Sequence, residues 1–257
     1  MLGSIKTVNK WQWTICGKHP VVKDYFQSGS NNTLLMAFSD WMDKGYRLLK
    51  SKQADSKRLV SWRFWAQGVK KNMIVCGIVK DSSDQIGRYY PILFTGTGIL
   101  DDWINHWDLL PFALEKVWGQ MDYLCSKRYN NYKNFEEETF NIRPPEPSWQ
   151  NYAQNRQELY KSSANSSDAV PWDIVKFKQQ LTRLAKIPRL YAYIDQDLAA
   201  NISIPLGLWH TLMKNSLTHA PSSVFIGGTG DSIYLAVFMN ALTANDFVEL
   251  WSDTNLD

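Results

Sequence analysis

The chain moves between two hydrophobic rhythms. Residues 10–16, KWQWTIC, alternate polar and apolar side chains, the period of a half-buried strand. The next stretch, GKHPVVKDYF at 17–26, has no period and reads as a loop. Asn31–Lys50 then takes a helical period. Leu34, Phe38, Trp41 and Leu48 fall on one side, with Leu35, Met42 and Leu49 beside them, and Asn31, Asn32 or Thr33 can cap the start. Strands are expected at Leu59–Trp65, Met73–Val79 and Arg88–Thr95. The last two are joined by the polar KDSSDQIG, a hairpin signal that makes this part of the sheet antiparallel. Asp101–Lys127 is helical in pattern, with a break near Leu110 because Pro111 has no amide hydrogen to donate. The first half therefore reads β-α-β-β-β-α.

Residues 129–168 lose both rhythms. YNNYKNFEEETFNIRPPEPSWQNYAQ is polar with tandem prolines, and SSANSSD is turn-rich, so the segment reads as a connection or insertion with room for a short helix around Trp149–Tyr160. Periodicity returns with a helix over Pro171–Lys186 that turns Val175, Leu181 and Leu184 inward. A strand over 189–195 and a helix over Pro205–Leu217 follow. Two strands, SSVFIGG and SIYLAVF, are set around a turn at Gly227–Gly230, and a last helix covers Asn245–Trp251. The expected organisation is an N-terminal half (1–128), the polar connection (129–168) and a C-terminal α/β half (169–257) packed into the same domain. The expected fold class is mixed α/β (α+β): a mainly antiparallel sheet flanked by helices.

Composition narrows the function. A length of 257 residues can bury a sizeable core. The net charge of +3 comes with no long basic stripe, which argues against nucleic acid. The local run Lys44, Arg47, Lys50, Lys52, Lys57 and Arg58 suits a helix C-terminus. Cys16, Cys76 and Cys125 are odd in number and form no C-x-x-C, so reduced thiols are expected. No apolar run has the length of a signal core or of a bilayer span; a cytoplasmic protein without membrane insertion is expected.

Catalytic patterns are weak. His19, His106, His210 and His219 form no i,i+4 pair, and no short-range zinc spacing exists. Cys16 with His19 could pair as nucleophile and base, but Cys16 at a strand end reads as core. The glycines at 227–230 precede a strand and lack the lysine of a phosphate loop. Trp41 and Trp118 fall on core-facing positions, whereas Trp149 and Trp172 flank the polar connection and are expected to be the exposed pair. Glu136–Glu138 read as a solvated run. Asp24, Asp81 and Asp84 sit in loops, where carboxylates usually bond their own backbone but can do acid–base work. Arg88 stands at the junction of a polar turn and an apolar strand. If buried it needs a carboxylate, and Asp24 and Asp84 are the candidates; it is an internal brace, a partner-facing group or an active-site group.

Two stretches carry a family resemblance. WRFWAQG followed by CGIVKDSSDQIGRYYPI resembles the signature of the TagF (ImpM) family of type VI secretion accessory proteins. Trp62, Arg63, Phe64, Gly77, Ser82, Asp84, Gly87, Arg88, Tyr90 and Pro91 fall on it. GKHPVVKDY is similar to a second family stretch through Gly17, Lys18, Pro20 and Asp24, and the tail PSSVFIGG…LAVFMNALTANDFVELW resembles the family more weakly. Lys23 departs from the family's usual glycine, Lys80 and Asp81 from its small or proline residues, and Ile226 from a common tryptophan. The resemblance implies a cytoplasmic regulator of a Gram-negative bacterium, without enzymatic activity or cofactor. Such a regulator represses type VI secretion after translation by binding the forkhead-associated (Fha) scaffold protein. The β-α-β-β-β-α order of the N-terminal half is also that of small longin-like or roadblock-like modules, a fold-level analogy. Two other readings stand beside this regulator: an adaptor that recruits baseplate or membrane-complex components, and a hydrolase or phosphatase-like enzyme using Asp24, Asp84 and Arg88.

Overall fold

The computed structural model describes residues 11–53, 59–164, 179, 181, 182, 184, 188–194, 203–229 and 232–252. Eight strands form one sheet: β1 (Gln12–Gly17), β2 (Phe26–Gly29), β3 (Val60–Gln67), β4 (Met73–Lys80), β5 (Ile92–Ile99), β6 (Arg189–Ile194), β7 (Ser223–Thr229) and β8 (Ser232–Phe238). Their order is β2-β1-β5-β4-β3-β7-β8-β6, and every neighbouring pair is antiparallel. The pairing of β3 with β7 joins the two halves of the chain, with Phe64 opposite Phe225.

Both faces of the sheet are covered, which accounts for strands that are buried almost end to end. Alternation sends Trp62, Phe64, Val75, Val79, Leu93, Phe225 and Phe238 to one face. There they meet α1 (Thr33–Lys52) and α6 (Ala244–Trp251). Trp13, Ile15, Trp65, Cys76, Ile78, Phe94, Val224 and Val237 point to the other face. That face packs against α2 (Leu110–Ser126), α3 (Tyr132–Thr139), α4 (Trp149–Ala164) and α5 (Ser203–Ser216).

Local chemistry sets the helix ends. Asn32 caps α1 by accepting from the Leu34 amide at 2.9 Å. Gln53, at φ 51°, closes α1 through its amide to Leu49 and Lys50 carbonyls. The helix passes close to α6 at Gly45, where a Cβ would stand 2.3 Å from the Phe247 Cβ. Thr243 and Asp246 form a capping box at the start of α6. Pro111 sits in the first turn of α2, and the residues before it form two 3₁₀ turns, so the expected break near Leu110 is a helix start.

Four expectations need correction. The strand expected over Arg88–Thr95 is β5, Ile92–Ile99; residues 88–91 are irregular because Pro91 cannot donate to a ladder and Arg88 is bonded elsewhere. The loop expected over 17–26 runs into the short strand β2. The aperiodic stretch after residue 129 contains α3 and, over a longer span than expected, α4, and it sends Phe135, Ile142 and Trp149 into the core. The turn expected at 227–230 is strand over most of that span: Gly227, Gly228 and Thr229 belong to β7, paired with Tyr234, Ile233 and Ser232, and residue 230 lies outside the described residues. The helix expected over 171–186 also lies outside them, except for residues 179, 181, 182 and 184, which are helical.

A buried polar contact crosses the second core. The indole Nε1–H of Trp65 can only donate, and it reaches His210 Nε2 at 3.2 Å. His210 Nε2 is therefore the acceptor, and Nδ1–H donates to the Leu206 carbonyl at 2.8 Å. The ring is neutral, and burial pushes its pKa down to about 4. Burial also lowers His19 to about 4. Both groups have folded pKa values below their unfolded ones, so the unfolded chain binds more protons in acid. Stability is therefore level above pH ~6.5 and falls toward pH ~4, with His210 alone removing about 3 kcal/mol across that window. Denaturant titrations at a series of pH values check this. His210→Gln is expected to flatten the slope to the share left by His19.

Candidate functional site

The site grows from two loops at one end of the sheet, residues 18–25 between β1 and β2 and residues 81–91 between β4 and β5. Gly17 lets them converge: it has φ +118°, and a Cβ there would stand 2.1 Å from the Pro91 carbonyl oxygen. At their centre is the Asp84 carboxylate, whose side chain is fully buried. Oδ1 accepts the Arg88 amide at 2.9 Å and the Ile86 amide at 3.2 Å, folding residues 84–88 back on themselves. Oδ2 accepts Arg88 Nε at 2.7 Å and Lys18 Nζ at 3.0 Å. Burial alone would raise this carboxyl's pKa; Lys18, the Arg88 amide and guanidinium and the Ile86 amide together hold it far below the usual carboxylate range.

Arg88 is the second link. Its guanidinium is half exposed, and it reaches across to the first loop. Nη2 donates to the Lys23 carbonyl at 2.9 Å and pairs with Asp24 Oδ2 at 3.2 Å. The Gln85 amide donates to the Val22 carbonyl at 2.8 Å, a direct backbone tie between the loops. Asp24 Oδ1 accepts the Tyr25 amide at 2.7 Å; that bond, with Arg88 and Lys18 nearby, lowers its pKa although burial opposes the shift. The sequence reading of Arg88 as a group at the head of a buried strand is thus revised. Arg88 lies outside β5, and the buried charge is Asp84. Both carboxylates named as its partners do pair with it.

The other signature residues have separate places. Trp62 is in the α1 core and donates through Nε1 to the Leu250 carbonyl at 3.0 Å. Arg63 faces α2 and pairs with Asp122 at 3.1 Å, as does Lys80 at 3.2 Å. Ser82 accepts the Tyr90 amide through its carbonyl at 3.0 Å, and Gly87 adopts φ +82° in the turn. Pro91 is buried and Pro20 is exposed. Asp81 accepts from the Trp251 indole and the Val60 amide, both at 2.8 Å. Among the described residues no group of three or more His, Cys, Asp or Glu is placed to hold a metal.

Several participants were not visible in the sequence. Tyr25 and Tyr46 pack edge-on against Tyr90, at 5.6 and 4.7 Å between ring centres. Tyr90 donates to Asp43 at 3.0 Å and Tyr46 to the Tyr89 carbonyl at 3.1 Å, which fastens the second loop to α1. Behind the first loop, His19 stacks on Phe135 of α3 at 4.5 Å. The outer rim is apolar: Tyr25, Ile86 and Tyr89 are 45%, 72% and 73% exposed. Regular spacing of tyrosines could have flagged only the α1 side, because Asp43 and Tyr46 share one helical flank.

The buried carboxylate orders the effects of substitution. Asp84→Ala leaves the Lys18 ammonium, itself mostly buried, without its close counter-charge, so it is expected to lower the unfolding temperature most. Lys18→Ala follows, and Arg88→Ala costs least because its head is half in water. Because the Asp84 pKa is depressed on folding, its contribution holds through neutral pH and is lost only in strong acid. Thermal scans of the three variants check the order; Arg88→Ala as the most damaging would make the guanidinium the central group.

The comparisons with known proteins bear on this arrangement. The model of the TagF N-terminal domain, type VI secretion system-associated, matches residues 14–142, a span that contains both loops. No curated relative matches the chain. Among solved structures the chain is similar to PA0076 from Pseudomonas aeruginosa PAO1, with a TM-score of 0.52 and 16% identity over 95% of each chain, a likeness of fold alone. With half of its length matched, and with the converging loops inside that match, the chain belongs to the TagF N-terminal domain family of type VI secretion system-associated proteins.

Proposed function

We propose that this chain is a non-enzymatic, cytoplasmic accessory protein that represses type VI secretion after translation by binding the forkhead-associated scaffold protein. Family membership supports the accessory role. The observation that carries the binding role is the apolar rim of Tyr25, Ile86 and Tyr89, held on two loops that ion pairs lock from beneath. Tyrosines on a preorganised surface lose little freedom on association and often dominate binding energy. The loop carboxylates favour this over a hydrolase. Asp84 spends both oxygens on backbone amides, Lys18 and Arg88, and Asp24 is bonded to Tyr25 and Arg88, so the polar groups are used in bracing.

Titration of the purified chain with the scaffold protein of the same host tests the proposal. Wild type is expected to bind, and Tyr89→Ala and Ile86→Ser are expected to weaken binding about tenfold or more with unchanged unfolding temperature. In cells, deletion of the chain is expected to raise secretion of type VI substrates. Reduced secretion on deletion would favour an adaptor that recruits apparatus components, and absence of scaffold binding would remove the mechanism.

A further inference from the structure

On the flank of α1 turned away from Asp43 and Tyr46 lies a groove of about 350 Å³. Leu34, Ala37, Phe38 and Trp41 form its helix wall at i, i+3, i+4 and i+7. Ala66 and Gln67 at the end of β3, Ser222 and Ser223 at the start of β7, and residues 240–242 after β8 form the rest. Alanine and serine stand where larger side chains would close the space between Trp41 and the strand ends. No ionisable side chain lines the groove.

Among the described lining residues, Ser223 is the buried polar one. It is 98% buried, and its register, opposite Ala66 and Phe238, turns it to the α1 face. Its Oγ has no hydrogen-bond partner among the described residues. Of the other polar groups, Ser222 Oγ donates to the Met239 carbonyl at 2.7 Å, Gln67 Nε2 to the Ala220 and Pro221 carbonyls, and Trp41 Nε1 to the Thr243 carbonyl at 2.9 Å, while Asn240 is exposed. A buried hydroxyl left without a partner is costly, and a mostly apolar cleft with one convergent polar group has the make-up of a small-molecule site.

We propose that this groove binds an uncharged, largely apolar small molecule that hydrogen-bonds Ser223 Oγ. The volume is roughly twice that of the ~150 Å³ cavity that accepts benzene, which sets the size near two fused rings. The absence of ionisable lining excludes a charged ligand, which would lose its hydration without compensation.

The test uses 2-naphthol as the probe and 2-naphthalenesulfonate as its charged counterpart, with the full chain followed by amide NMR. 2-Naphthol is expected to shift the Ala66, Ser223 and Leu242 amides saturably, with the sulfonate at least tenfold weaker. Ala37→Trp, a change at an exposed rim position, is expected to abolish the shifts without unfolding the chain. Ser223→Ala is expected to weaken 2-naphthol about fivefold and to raise the unfolding temperature, because it removes an unpaired buried hydroxyl. No saturable binding, equal binding of the sulfonate, or binding that survives Ala37→Trp would overturn the proposal. So would refusal of both probes combined with altered self-association of Ala37→Trp, which would mark a protein-docking face.

Discussion

Everything at the loop end of the sheet depends on one buried negative charge. Asp84 has two oxygens and four donors, and the donors come from two separate segments. The amides of Ile86 and Arg88 shape the second loop, while Lys18 brings in the first. A carboxylate without these partners could not remain ionised in such a place. Arg88 extends the arrangement outward to Asp24 and the Lys23 carbonyl. The result is a neutral set of two cations and two anions that fixes the spacing of the loops. It leaves the exposed Tyr25, Ile86 and Tyr89 on a firm base.

The sheet supplies that base. Because helices cover both of its faces, its strands read as long apolar runs and not as a clean alternation. The two cores are nevertheless distinct in chemistry. The α1 side is built from stacked rings, with Phe64 between Phe38 and Phe225 at 5.2 and 4.9 Å. The opposite side carries charges and a histidine among its helices, where Asp108 holds Arg156 at 2.6 Å and Lys214 at 2.5 Å.

Much of this was legible in the sequence, and the failures have physical causes. Helix α1, the β4–β5 hairpin and the β7–β8 pair follow from period and turn chemistry, whereas the break expected near Leu110 within one helix is the start of α2. The true start of β5 did not, since the bonds that hold Arg88 out of the ladder are made by a side chain four residues earlier. Helix α3 was hidden because its burial rests on few residues: Phe135 is inserted against His19, while Glu136 and Glu138 pair with Ser28, Tyr129 and Lys127. Asp24 and Asp84 were nameable as partners of Arg88, but the part of Lys18 and the choice of Asp84 as the buried member depend on loop paths that no period encodes.

The pairing of β3 with β7 sets the order in which the chain can become complete. Strand β3 meets β4 almost at once, yet its other edge waits for residues some 160 positions later, by the count between Phe64 and Phe225. Until those residues arrive, VSWRFWAQ presents an unpaired, aromatic strand edge of the kind that invites association between chains. The family-defining span ends at residue 142, before that edge is closed. The span matched by the family is thus shorter than the sheet, and β7, from the C-terminal half, covers the edge of β3 that the N-terminal half leaves open.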